Sequence, residues 1–236
     1  MTSANVIRHG KRWIVGLIGR IGIAGAVAIV ALFIFARFSA EFGEQGGGLP
    51  HFDLEVLRYL RVHRIGWLFH LAYRVSWSFR PLGQGIIVLL ATGVFLLRRR
   101  QCAAVTLLTG VVGGGLVIAS LKALFGRPRP EEIFAPLGYS FPSGHTFGAV
   151  TILGIAGYFL AQEVASRFRV FVWGAAGLGM FVVGWSRIYL GEHYPTDVGA
   201  GFMSGFCWVY VCLLSAKYVS SSATDATKTK ANTHNL

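Results

Sequence analysis

Apolar residues run almost unbroken through six stretches: Ile21 to Ala36, Leu82 to Leu97, Cys102 to Leu121, Phe147 to Ala161, Val170 to Trp185 and Val198 to Ala216. Each approaches the length that crosses a hydrocarbon core about 30 Å thick, some with help from flanking residues. A single such run fits a buried helix of a water-soluble domain, but six in series predict six membrane-spanning helices. The pattern changes between the first and second runs. Phe38 to Pro81 opens with the flexible EFGEQGGGLP and continues as FDLEVLRYLRVHRIGWLFHLAYRVSWSF, where Arg58, Arg61 and Arg64 recur every three residues among leucines and aromatics. That spacing predicts a helical segment over about 50–80 that lies in the membrane interface, its arginines toward head groups or solvent. From Ser220 the chain turns small and polar, SSSATDATKTKANTHNL, and predicts a disordered tail. The expected fold is all-α: one integral membrane domain over 1–219 and a cytoplasmic tail over 220–236.

Composition agrees, with 54% hydrophobic and 14% charged residues, against about a quarter charged in soluble domains. The net charge of +12 would suit nucleic acid, yet no basic, aromatic-interleaved groove or motif of that kind is present. The basic groups mark topology instead. Arg8, Lys11 and Arg12 precede the first run, Arg98 to Arg100 follow the second, Arg167 and Arg169 the fourth, and Lys217, Lys228 and Lys230 the sixth. By the positive-inside rule all four groups and both termini are cytoplasmic, so the loops after runs one, three and five face outward. The first run has no small-residue cleavage site before Arg37 and Phe38, so it predicts a retained anchor. Cys102, Cys207 and Cys212 lack C-x-x-C spacing and predict small apolar residues, neither a disulfide framework nor a zinc site. The glycines at 113–115 and in GAAGLG, 174–179, suit close helix approach in lipid.

The outward loops hold three polar clusters. KALFGRPRP, 122–130, ends the third run with Lys122, Arg127 and Arg129, its prolines stopping the helix on the face where positive charge is disfavoured. Any one of these is by default a snorkelling or interfacial charge; together they ask for an anionic partner. FPSGH, 141–145, opens the fourth span. Ser143 is a capping residue type, Gly144 permits close approach of backbone to an oxyanion, and His145 falls in the first turn of a helix whose N-terminus attracts phosphate. A cap followed by an interfacial histidine explains this stretch equally well when taken alone. SRIYLGEHYPTD, 186–197, closes the fifth span with Arg187 and sets His193 four residues before Asp197. A carboxylate on one ring nitrogen fixes the tautomer and leaves the other lone pair for attack.

The topology brings the clusters to one face, where the cations, a helix N-terminus and two histidines form an inventory for phosphoryl transfer. A two-metal hydrolase needs several clustered carboxylates. The candidates here, Glu131, Glu132, Glu192 and Asp197, are interspersed with arginines, so the expectation is a reaction without metal or cofactor.

These three stretches resemble the signature of the type 2 phosphatidic acid phosphatase family, K-x6-R-P, P-S-G-H and S-R-x5-H-x3-D. Every fixed position is occupied: Lys122, Arg129 and Pro130; Pro142, Ser143, Gly144 and His145; Ser186, Arg187, His193 and Asp197. The resemblance extends from about Phe52 to Lys217. It implies a multi-pass phosphatase of a bacterial-type inner membrane, active on the outer face, with His193 as nucleophile, Asp197 orienting it and His145 as general acid. It also implies that Lys122, Arg129, Ser143, Gly144 and Arg187 hold the phosphate of a lipid phosphate or diphosphate. Phosphatidic acid, phosphatidylglycerol phosphate and undecaprenyl diphosphate are the substrates it suggests. A lipid A phosphatase shares the signature, and soluble haloperoxidases share it without the spans. A lipid-phosphate binding or transport protein would need the cations but neither histidine.

Overall fold

A computed structural model describes residues 49–130 and 138–233. The first expected span, Ile21 to Ala36, and the stretch with Glu131 and Glu132 lie outside the described residues. Among the described residues seven helices follow one another: α1 Leu49–Val62, α2 Gly66–Ser78, α3 Pro81–Leu97, α4 Gln101–Phe125, α5 Gly144–Glu163, α6 Arg169–Tyr189 and α7 Pro195–Thr233. A short 3-10 turn, Ser166–Phe168, leads into α6. No strand occurs among the described residues.

Four of the six expected spans coincide with helices long and apolar enough to cross a bilayer: Gln101–Phe125, Gly144–Glu163, Ser166–Tyr189 and the Pro195–Tyr218 part of α7. The expected span Leu82 to Leu97 is α3, which is only 17 residues long and meets α2 at a bend of 63°. Counting that bent pair as one span gives five. The bend has a local cause. Pro81 at the first position of α3 forces Arg80 into extended backbone, φ −66° and ψ 163°, so the helix cannot run through.

The bundle is organised around α5, which packs on α4, α6 and α7. Its spanning stretch is 61% buried, against 22–33% for the other three. Val150, Ile152 and Ile155 of α5 meet Leu107 of α4, Met180 of α6, Val209 of α7 and Phe95 of α3. In lipid no hydrophobic drive pulls helices together, so close packing carries association. Gly113 and Gly114 of α4 lie against the Trp208 ring, whose Nε1 donates to the Gly110 carbonyl at 2.7 Å. Gly115, Gly174 and Gly177 face open space instead, so close approach accounts for only part of the glycine content. The outer faces remain apolar, with Leu89, Leu90, Val112, Leu116, Phe171 and Phe181 exposed, a surface matched to lipid rather than water.

The segment expected at the interface is two helices rather than one. The chain breaks between α1 and α2, where the Ile65 N–H donates to the Tyr189 hydroxyl at 2.8 Å and ties the break to α6. Arg58, Arg61, Arg64, His63 and His70 are exposed. A further expectation is corrected. The prolines after α4 do not end it; Gly126 does, taking a left-handed φ of 60° and donating its N–H to the Lys122 carbonyl. Helix α7 runs from Pro195 to Thr233, and residues 220–233 contain neither glycine nor proline to stop a helix.

The two ends of the bundle differ. At one, Glu163 closes α5 and forms ion pairs with Arg98 and Arg100, each at 3.0 Å, near Arg167 and Arg169 in the chain. The opposite end gathers the C-termini of α4 and α6 with the N-termini of α5 and α7. The three polar clusters stand there.

Candidate active site

The loop between α6 and α7 is folded back by its own backbone. Gly191 adopts φ 73°, its N–H reaches the Ile188 carbonyl at 2.9 Å, and the Glu192 N–H reaches the Arg187 carbonyl at 3.1 Å. This paired closure of a helix C-terminus needs a left-handed residue at that position, which glycine adopts without strain. Its consequence is to bring Glu192 and His193 back over the end of α6. The chain then enters α7 through Pro195, and Asp197 reaches back to accept the Tyr194 N–H at 3.0 Å, the acidic half of a capping box.

His193 is 1% exposed. Its Nδ1 faces Asp197 Oδ2 at 3.4 Å, longer than a relaxed hydrogen bond, and its Nε2 lies 3.2 Å from Arg129 Nη1. A guanidinium can only donate, so Nε2 carries the lone pair and Nδ1 the proton. Burial, reinforced by the cations Arg187, Arg129 and Lys122, holds the imidazole well below the usual histidine range. The ring is therefore neutral near pH 7, with its lone pair on the Arg129 side. Arg129 also donates to the Glu192 carbonyl at 2.9 Å. Burial lowers its pKa, and Glu192 and Asp197 oppose that shift.

Arg187 is wholly buried, its guanidinium donating to the Glu192 carboxylate and to the Ser76 hydroxyl of α2. Lys122 donates to the Tyr139 carbonyl. Ser143 occupies the N-cap of α5, but its side chain makes no capping bond and is buried; its hydroxyl accepts from Thr146 Oγ1 at 3.1 Å. The capping bond that its residue type suggests is thus not made. The first turn of α5 lacks a side-chain cap, which leaves amides suited to an anion. A glycine is required on the facing helix, because a Cβ at Gly201 would stand 2.8 Å from the Ser143 carbonyl oxygen.

Three buried nitrogens without a hydrogen-bond partner belong to these residues: Arg129 Nε, His145 Nε2 and Arg187 Nε. Unpartnered buried polar atoms are costly, and their concentration on two cations and a histidine fits an anionic ligand with several acceptor oxygens. A groove of about 60 Å³ begins beside Gly144 and runs between α3, α4 and α5, lined by Gln84, Val111, Gly115, Ile118 and Phe147 among others. Among the described residues, no three His, Cys, Asp or Glu side chains converge as a metal site would require.

The structure therefore brings Lys122, Arg129, Ser143, Gly144, His145, Arg187, His193 and Asp197 to one end of the bundle. Sequence reasoning missed other residues built into the same end. Arg127, read as an interfacial charge, donates to Asp197 Oδ1 at 2.8 Å and to Asp53 Oδ2 at 2.8 Å. Asp53 and Ser76 come from the segment read only as interfacial. The available signal for Asp53 was a carboxylate four residues before Leu57, on the one buried face of α1.

Comparison with known proteins matches this architecture. A sequence profile of the PAP2 superfamily fits residues 103–220. Phosphatidylglycerophosphatase B of Bacillus subtilis (strain 168) is 36% identical over 127 residues, 51% of this chain and 61% of that protein. Undecaprenyl-diphosphatase BcrC of the same organism is 36% identical over 121 residues, 48% of this chain and 57% of that one. The matched stretch thus spans less than two thirds of either relative. The crystal structure of a transmembrane PAP2 type phosphatidylglycerolphosphate phosphatase from Bacillus subtilis superposes with a TM-score of 0.70 at 25% identity, covering 82% of this chain and 96% of that one. The profile takes in half of the sequence and holds all three polar clusters, and on this evidence the chain belongs to the PAP2 superfamily.

Proposed function

We propose that this chain is an integral membrane lipid phosphatase that hydrolyses a phosphomonoester or diphosphate of a lipid through a phosphohistidine at His193. The observation that carries the reading is the His193 ring, with Nδ1 toward Asp197 and Nε2 beside the donor-only guanidinium of Arg129. His193 Nε2 attacks phosphorus while the bond from phosphorus to the leaving oxygen breaks, and His145 supplies that oxygen with a proton. Lys122, Arg129 and Arg187, with the amides after Ser143 and Gly144, balance the equatorial oxygens. Water then attacks the phosphohistidine, His145 takes its proton, and the P–N bond breaks to release phosphate and restore the imidazole.

The active site opens on the outer face, with both termini cytoplasmic. Support for this orientation comes from the arginines paired with Glu163 at the opposite end of the bundle. The groove beside Gly144 admits the first part of a lipid tail, and α1 and α2 lie at the interface. The names of the relatives point to phosphatidylglycerol phosphate or undecaprenyl diphosphate as substrate, and phosphatidic acid belongs to the same chemistry.

The test is phosphate release in detergent from phosphatidic acid, phosphatidylglycerol phosphate, undecaprenyl diphosphate and lipid A, each with and without a chelator. Turnover of at least one lipid, unchanged by the chelator, is the expected result. Binding of all four without release would favour a carrier, and loss of activity on chelation would overturn the metal-free mechanism.

A further inference from the structure

Asp53 is a carboxylate with no exposure, on a helix that precedes the family-matched residues 103–220. It accepts three hydrogen bonds from the site: Arg127 Nη2 at 2.8 Å, the Thr196 N–H at 3.0 Å and the Thr196 hydroxyl. Thr196 is the second residue of α7, so Asp53 satisfies an amide at that helix N-terminus from a different helix. Arg127 completes the bridge. Its Nη1 donates to Asp197 Oδ1 at 2.8 Å and to Thr196 Oγ1 at 2.7 Å, and its guanidinium lies 4.1 Å over the Tyr194 ring.

The distances rank the claims on Asp197. Arg127 holds one of its oxygens at 2.8 Å, whereas His193 Nδ1 stands 3.4 Å from the other. With Arg127 alone as partner, the Asp197 charge would be largely spent on the guanidinium. Asp53 supplies the second negative charge. The three groups then sum to one negative charge facing His193, the amount needed to steady an imidazole that becomes cationic as it forms a bond to phosphorus.

We propose that Asp53, acting through Arg127, is a positioning residue for the His193–Asp197 pair, and that the docking of α1 on α7 is thereby part of the machinery that activates His193. The inference rests on the reading of His193 as nucleophile. It assigns α1 a task beyond lying in the interface, since lifting α1 away would remove the carboxylate that balances Arg127.

The charge count gives predictions of opposite sign. Asp53→Asn removes the balancing charge and leaves Arg127 to neutralise Asp197. Its expected effect is a fall of about tenfold in kcat per phosphorylatable site, with KM held within about twofold. Adding Arg127→Gln to Asp53→Asn restores one negative charge at Asp197, and the double variant is expected to turn over faster than the Asp53→Asn single variant. A purely structural role predicts the reverse, because removing a second member of a buried network would only add damage.

Rates are measured on the full chain in detergent with the lipid on which the wild type is most active, and are normalised to the phosphoenzyme trapped on rapid quenching. Recovery in the double variant supports the inference. A double variant slower than Asp53→Asn, or an Asp53→Asn enzyme with wild-type kcat, overturns it. Should Asp53→Asn not fold, Asp53→Glu decides instead: it keeps the charge, and wild-type KM with kcat within about threefold is expected. A loss as large as tenfold there would overturn the charge argument. Failure of the wild-type enzyme itself to form a phosphohistidine would strike the functional reading, a result distinct from any of these.

Discussion

Replacing His193 with alanine is expected to lower kcat by about three orders of magnitude or more, while lipid binding stays within a few-fold of wild type. The proposed nucleophile disappears, but the cations proposed to hold the phosphate remain, so the loss falls on the chemical step. The geometry makes substitution by neighbours implausible. Arg129 stands beside Nε2 but has no lone pair to offer, and Asp197 is wholly buried behind the ring. Because His193 fills buried space, His193→Gln serves as a second variant of closer volume with the same expected loss. The measurement is phosphate release under substrate saturation, together with the elution profile and thermal unfolding of the detergent-solubilised protein. A folded variant that releases phosphate at the wild-type rate would remove His193 from the mechanism.

Arg187→Ala is expected to damage stability and activity together. The guanidinium is fully buried between Glu192, which is 8% exposed, and Ser76 of α2. Deleting one member of a buried ion pair strands the other charge, at a cost of about 3–5 kcal/mol. It also removes a cation proposed to balance the phosphate, whose Nε has no hydrogen-bond partner. The two effects separate in a double variant. Arg187→Met with Glu192→Gln leaves no stranded charge and is expected to regain most of the thermal stability but none of the activity. Arg187→Lys keeps the charge but cannot reach Glu192, Ser76 and a phosphate at once, and an intermediate rate follows. Wild-type kcat/KM in the stable double variant would reduce Arg187 to a structural pair.

The parts that were legible in the sequence are those written in local spacing. Apolar run length announced the spanning helices, and the four-residue interval from His193 to Asp197 announced their meeting, because a loop and the first turn of a helix place such residues side by side. The grouping of Lys122, Arg129, His145 and Arg187 followed from topology alone, since helix ends on one side of a membrane must share a face. What was not legible depends on contacts distant in the chain. Asp53 meets Arg127 and Thr196 across 74 and 143 residues, and the amphipathic pattern around it reads equally well as an interfacial helix. Ser143 carried the right residue type for a cap, yet its buried hydroxyl turned to Thr146 once α7 closed over it at Gly201. The break at His63 to Ile65 is fixed by Tyr189, which no local rule reveals. The end of α4 was misattributed to its prolines because Gly126 acts two residues sooner.

The central claim is a covalent bond between phosphorus and His193 Nε2. Its most direct measurement is rapid quenching of the enzyme with a lipid labelled with radioactive phosphorus, followed by base-stable recovery of the label and mapping to a peptide. The account predicts an acid-labile, base-stable label on His193, present in wild type and absent in His193→Gln. Phosphate release with no trapped label at any quench time, or a label on another residue, would contradict it.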